Sequence, residues 1–247
     1  NPAKKVRHRS RKPHPQRGRQ AEQGGVVHIA AAVTLIATPA VPASMTRIVT
    51  VRHGETDWNR EGRMQGWAPV SLNETGRRQA AETGRWLAER YEFDRVLASD
   101  LRRTRETTDV LSESIDAAPT FESAWRERGL GVYQGLTRDT VESRYPEFGL
   151  GETAYEATEA VPEGGESLRG VRERVVGRFE DLQGDDGTTL VVTHGGPLWI
   201  LLGHAKGQDL TTALSAHHLE NCAVAEFRAN GDGTTVVREN VTAPERR

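Results

Sequence analysis

Short β-branched runs alternate along the chain with longer stretches whose apolar positions recur every three to four residues. Ile48 to Val51 is the first such run and reads as a buried strand. Asn73 to Arg90 reads as a helix, because Leu72, Ala80, Ala81, Trp86, Leu87 and Tyr91 fall at roughly helical spacing. Arg95 to Ala98 is a second predicted strand. Leu101 to Ser114 is a second predicted helix, with Ser99 or Asp100 as its N-cap. Thr137 caps a shorter helix that runs to Tyr145, and Glu166 to Leu182 forms a longer one. Thr188 to Thr193, TTLVVT, is the most strand-like stretch of the chain. Pro197 to Ala205 is helical, with the proline in the first turn. Cys222 to Arg228 and Thr234 to Glu239 read as two late strands across a Gly231-Asp232-Gly233 turn. Strands alternating with helices predict an α/β fold: three layers, with a mostly parallel, doubly wound sheet and helices on both faces.

This pattern is missing from residues 1–44. They begin basic and proline-rich and carry eight Lys/Arg against one acid, Glu22. The remaining residues hold 25 Lys/Arg and 34 Asp/Glu, a net of −9, and their one lysine is Lys206. Such a break divides the chain into a disordered or non-native leader, 1–44, and a single catalytic domain, 45–247. An apolar stretch from Val26 to Val41, followed by Ala43, gives the leader a signal-like character, which would imply secretion. The preferred reading starts the protein at Met45, where Met45-Thr46-Arg47-Ile48-Val49 leads directly into the first strand. The rest of the composition is that of a globular chain, 36% hydrophobic and 28% charged, with no apolar run of membrane-spanning length. Cys222 is the one cysteine, so no intrachain disulfide forms and a reducing, cytoplasmic setting fits.

Chemistry-bearing residues gather one step past the parallel strands. His53 comes after the first strand, Ser99 to Arg103 after the second and His194 after the third. In an open parallel sheet, ligands bind outside the carboxyl ends of the strands, so these clusters converge. Arg52 and Arg103 supply guanidinium forks that match phosphate oxygens. His194-Gly195-Gly196 places a histidine at a helix start, where amides favour an anion. Phosphoryl transfer depends on positioning and charge neutralisation, so this set suffices without a metal or cofactor. Neutral His53 attacks phosphorus, and Glu127 protonates the leaving oxygen and then activates water. His217 and His218 are adjacent, so their side chains diverge and read as loop or core groups, as does His204.

The motifs RHGETDWN (52–59), MQGW (64–67), SDLRRTRETT (99–108), WRERGLGVYQGLT (125–137), PEGGES (162–167) and VVTHGGP (191–197) resemble, in order, those of the histidine phosphatase superfamily, which includes the phosphoglycerate mutases. The resemblance implies that fold. It makes His53 the nucleophile, Arg52, Arg103 and His194 the phosphoryl ligands and Glu127 the proton donor. Asn59, Gln65, Gly66 and Gly195 fall among the further substrate contacts. The chain departs from the family after the glycine–aromatic pair, where Ala68-Pro69-Val70-Ser71-Leu72 replaces the usual acid-x-proline.

Three functions are compatible with such a pocket: a phosphomonoesterase, a 2,3-bisphosphoglycerate-dependent mutase and a non-catalytic phosphate or protein binder. The binder reading requires a lost catalytic position, and none is lost. A mutase needs extra cations for a second anionic group. Residues 145–168 contain no Lys or Arg, but do contain Glu147, Glu152, Glu156, Glu159, Glu163 and Glu166. That segment repels a polyanion. Its Tyr145, Phe148 and Tyr155 suit an apolar or sugar-like leaving group. The expectation is a phosphatase acting on a small phosphorylated substrate, with neither nucleic acid nor membrane as partner.

Overall fold

In the computed structural model, which describes residues 46–148, 158–230 and 233–244, the first β-branched run forms strand β1 (Thr46–Arg52). The other strands are β2 (Arg95–Ser99), β3 (Pro119–Glu122), β4 (Gly187–Thr193), β5 (Val224–Asn230) and β6 (Gly233–Val241). Their order across one sheet is β3-β2-β4-β1-β5-β6. The first four in that order are parallel; β5 is antiparallel to β1, and β6 to β5. The leader, Glu152, Tyr155, Glu156 and most of the expected 231–233 turn lie outside the described residues.

The helices are α1 (Asp57–Arg60), α2 (Glu74–Ala88), α3 (Arg102–Leu111), α4 (Arg138–Arg144), α5 (Leu168–Leu182), α6 (Gly195–Ala205) and α7 (Leu210–Ala216). The central strands are buried along most of their length because helices cover both faces. Ile48 and Val191 pack with Val175 and Phe179 of α5 and Leu198 and Leu202 of α6. The intervening residues Val49, Val51, Leu190 and Val192 point the other way, against Leu87 of α2 and Leu111 of α3. Each fully buried Leu or Phe contributes about 1.5–3 kcal/mol, so the two filled faces hold the sheet. A smaller cluster, Leu130, Tyr133, Val141 and Phe148, sits under the loops between β3 and α5.

Thr137 caps its helix as expected, and Asn73 and Ser167, which were expected inside their helices, are caps as well. Asn73 accepts from Gly76 N at 2.8 Å, Thr137 from Thr140 N at 3.2 Å and Ser167 from Gly170 N at 3.0 Å. Each such cap is worth about 1 kcal/mol. Helix α3 departs from expectation: its N-cap is Leu101, with no side-chain cap bond, rather than Ser99 or Asp100. Both expected side chains are drawn elsewhere, Ser99 to His194 and Asp100 to Arg126. Helix α6 begins at Gly195, two residues before the proline. Strand β3 and helices α1 and α7 have no counterpart among the elements expected from sequence. A four-residue edge strand starting on proline, a single turn and a seven-residue helix carry too few periods to register. The neighbours β2, β4 and β1 end on the same side, and the residues just past their carboxyl ends build the site.

Candidate active site

The ladder between β1 and β4 continues one residue past Arg52, with His53 N donating to Thr193 O at 2.9 Å. Other donors pin the same turn. Asn221 Nδ2 reaches His53 O at 3.0 Å, Cys222 N reaches Arg52 O at 3.1 Å, and Gly54 N donates to Thr107 Oγ1 at 3.1 Å. Gly54 is required by packing. A Cβ there would lie 2.5 Å from Gly76 O, so the glycine admits the backbone of α2.

The His53 ring is 3% exposed. Its Nδ1 lies 2.8 Å from Gly54 O, a carbonyl that only accepts, so Nδ1 carries the proton. Nε2 then keeps its lone pair and accepts from Arg103 Nε at 3.2 Å. Burial, reinforced by Arg103 and Arg52, holds the ring well below the usual 6.5. His194 is held low in the same way, by burial first and then by Arg103 and His53; the two ring centroids are 5.2 Å apart. Both imidazoles are therefore neutral at physiological pH.

Arg103 is 1% exposed, and its Nη2 donates to Gly66 O at 2.9 Å. Burial pushes it down to about 10, which leaves it charged. Arg52, also lowered by burial, donates from Nη1 to Leu219 O. Arg52 Nε and His194 Nδ1 are buried without a protein partner. Two buried guanidiniums, two neutral histidines and one nearby carboxylate leave the pocket electropositive, as a dianionic phosphoryl group requires.

That carboxylate is Glu127. Its Oε1 accepts from Arg128 N at 2.9 Å and its Oε2 from Gly196 N at 3.2 Å, in the first turn of α6. It thus occupies a helix N-terminus, where free amides favour an anion. Its backbone is strapped from behind. Arg174 of α5 donates to Ala124 O at 2.9 Å, Arg126 O at 2.7 Å and Glu127 O at 3.1 Å, while Glu166 holds the other edge of the same guanidinium. Trp67 Nε1 adds a bond to Glu127 O at 2.7 Å. A Cβ on Gly196 would stand 2.2 Å from Glu127 Oε1. Gly196→Ala is therefore expected to displace the carboxylate and lower kcat about 100-fold, the usual loss for a displacement near 1 Å. Steady-state kinetics alongside a thermal melt checks this; an unchanged kcat removes Glu127 from the chemistry.

A model of the histidine phosphatase superfamily, branch 1, matches residues 48–242. The chain belongs to this superfamily. It is 32% identical over 189 residues to a metal-independent phosphoserine phosphatase of Arabidopsis thaliana, covering 74% of this chain and 76% of that one. It is 34% identical over 168 residues to a 2,3-bisphosphoglycerate-dependent phosphoglycerate mutase of Cytophaga hutchinsonii, covering 66% and 78%. Among solved structures it resembles a mycobacterial glucosyl-3-phosphoglycerate phosphatase complexed with VO3. That match has a TM-score of 0.70 and 27% identity and covers 79% of this chain and 99% of that one.

For a histidine phosphatase, the remaining expected contacts divide. Asn59 Oδ1 accepts from Thr56 N at 3.1 Å and Thr56 Oγ1 at 2.9 Å, a capping box that leaves Nδ2 as its free donor. Gln65 is buried, with Oε1 unpaired. Gly66 serves through its carbonyl, which orients Arg103. Gly195 opens α6 beside Arg52 and Trp199. Thr107, Asn221, Arg174 and the contact of Ser99 with His194 were not foreseen. Ser99 and Thr107 lie inside the SDLRRTRETT motif, where the serine was expected as a helix cap at the head of the Arg103 cluster. Asn221 is 168 positions from His53, and Arg174 lies beyond the last residue of PEGGES. Outside the site, His217 is buried between Glu239 and Gln208, whereas His218 is exposed beside Glu220. His204 pairs with Glu180. Among the described residues, no cluster of three or more His, Cys, Asp or Glu has the arrangement of a metal site, and no helix is long and apolar enough to cross a membrane.

Proposed function

We propose that this chain is a metal-independent phosphomonoester hydrolase that works through a phosphohistidine on His53, with Glu127 as proton donor. The observation that carries this reading is the state of His53: Nδ1–H is fixed on Gly54 O, and a buried, unprotonated Nε2 is aimed by Arg103. The phosphoryl oxygens are held by Arg52, Arg103, His194 and the Gly195 amide at the start of α6. As Arg103 Nε turns from Nε2 to a phosphoryl oxygen, Nε2 attacks phosphorus in line, the P–O bond to the leaving group breaks, and Glu127 passes to the departing oxygen the proton it took from water in the preceding turnover. Water, deprotonated by Glu127, then cleaves the N–P bond and releases inorganic phosphate. The two guanidiniums carry the charge neutralisation that a metal supplies elsewhere. The substrate is a small phosphorylated molecule rather than nucleic acid or a membrane. The single cysteine suits a cytoplasmic setting, and residues 45–247 act as the one catalytic domain.

The geometry shifts the case for water over a second phosphate-bearing acceptor. The acidity of 145–168 counts for less than the sequence suggests, because Arg169 pairs with Glu159 and Arg174 with Glu166. Phe148 is buried beneath Tyr133 and the Arg128 guanidinium, so it does not cover a leaving group. What weighs more is Arg128 itself, the cation next to the acid. It donates to Glu166 O at 2.9 Å and to Ala160 O and stacks on Phe148, which commits it to the loop and not to a second anionic group. Incubation with phosphoglycerates and a panel of monoesters is expected to release inorganic phosphate. Rapid interconversion of phosphoglycerates with little phosphate release would make the chain a mutase.

Two buried neutral histidines also fix a pH dependence. Attack needs unprotonated His53, and its native value lies well below 6.5. The rate is therefore expected to hold from pH 7 to pH 6, where an ordinary histidine would already be mostly protonated. Stability moves the other way in that window. Below about 6.5 the unfolded chain takes up protons at both histidines that the native state refuses. Stability then falls with pH by about 1.4 kcal/mol per unit for each histidine, until the native values are reached. A pH–rate profile and denaturant melts between pH 5 and 8 test both signs.

A further inference from the structure

Ser99 is fully buried at the end of β2, and its expected work as a helix cap is not what it does. Its Oγ lies 2.8 Å from His194 Nε2 and accepts the Leu101 amide N–H at 3.3 Å. The other ring nitrogen of His194, Nδ1, is buried and unpaired. A hydroxyl has one proton and two lone pairs. With Leu101 N–H on one lone pair, the hydroxyl proton still needs an acceptor, and Nε2 stands at an ordinary O–H···N distance. The opposite arrangement, Nε2–H donating to Ser99, leaves the serine proton without a protein acceptor at a fully buried position. It also turns a bare Nδ1 lone pair on any bound anion, which is repulsive.

We propose that Ser99 sets the tautomer of His194: its hydroxyl donates to Nε2, so the imidazole keeps its proton on Nδ1 and presents Nδ1–H to the phosphoryl group. The inference rests on the reading of the pocket as a phosphoryl site. Ser99 is a positioning residue that acts only through His194. The relay runs from Leu101 N–H to Ser99 Oγ, from Ser99 O–H to Nε2, and from Nδ1–H to the anion. Because the ring is buried among Arg103, Arg52 and the His53 ring, it stays neutral and has one proton to place. The tautomer therefore decides whether His194 attracts or repels a phosphoryl oxygen.

The test is heteronuclear NMR of the full chain with nitrogen-labelled histidine, the His194 signals being assigned by their loss in His194→Gln. The expected spectrum shows Nδ1 protonated and Nε2 bare in the wild type, with or without orthovanadate. In Ser99→Ala the proton moves to Nε2 or divides between the nitrogens. Orthovanadate inhibition weakens by about 10- to 100-fold, the loss of one hydrogen bond to a charged group. Ser99→Thr, which keeps the hydroxyl, retains the wild-type tautomer. A wild-type His194 protonated on Nε2 overturns the proposal, and that measurement needs no variant to fold. So does a Ser99→Ala protein whose tautomer and vanadate affinity are unchanged. A protein that neither binds vanadate nor hydrolyses any monoester sinks the phosphoryl reading instead, while the spectrum still reports the tautomer.

Discussion

Replacing His53 with alanine is expected to abolish turnover, lowering kcat by about 10⁴-fold or more, as loss of a covalent nucleophile does in other enzymes. After incubation with a radiolabelled monoester and alkaline denaturation, wild-type protein retains label and His53→Ala does not. The size of the effect comes from geometry. Within the pocket, Nε2 of His53 is the buried lone pair that a guanidinium aims, and its tautomer is fixed by a carbonyl that cannot donate. The substitution also strips Arg103 Nε of its acceptor, and an unpaired buried cation is destabilising. His53→Gln keeps a polar atom near Arg103 and separates the two effects. It is expected to be as inactive as the alanine variant, with a smaller drop in melting temperature. A rate within tenfold of wild type in both variants would move the nucleophile elsewhere, first to His194, whose ring centroid is 5.2 Å away.

The parallel core was legible because strands covered on both faces are rich in β-branched residues, as TTLVVT and Ile48–Val51 are, with threonine among the valines and isoleucine. That the candidate groups beyond those strands meet was legible too: a histidine or arginine just past a parallel strand has one crevice to enter. The sequence did not disclose which groups hold those side chains in place. Ser99 looks like a helix cap until its partner, 95 positions away, is in place. Arg174 looks like one more arginine on an amphipathic helix until three carbonyls and a carboxylate converge on it. Supporting contacts of this kind join segments by packing alone, and no local period records them. The acidic loop shows the opposite error. Six glutamates with no Lys or Arg among them suggest a repelling surface, yet the cations that answer Glu159 and Glu166 come from the next helix.

Glu127→Gln is expected to lower kcat by about 10²- to 10⁴-fold on alkyl monoesters, the range general acid catalysis supplies, and by much less on p-nitrophenyl phosphate. The contrast arises at the leaving oxygen. An alkoxide is a strong base and must be protonated as it departs, whereas a nitrophenolate leaves without help. The amide can still sit at the start of α6, its one oxygen taking the Gly196 N–H that the carboxylate Oε2 accepts while the bond from Arg128 N is lost, so the fold and the phosphate site are retained. Orthovanadate affinity is therefore expected to change little, while kcat for alkyl esters collapses. The intermediate adds a second signature. With the aryl ester, phosphorylation of His53 proceeds, but water attack still needs the carboxylate as base. Phosphoenzyme then accumulates in Glu127→Gln to a higher level than in wild type, and a burst of nitrophenol precedes a slow steady state. Equal losses on both esters with no burst would show that Glu127 acts through position or charge rather than by moving a proton. Arg174, which straps the Glu127 carbonyl from behind, would then be the residue whose removal reproduces the defect.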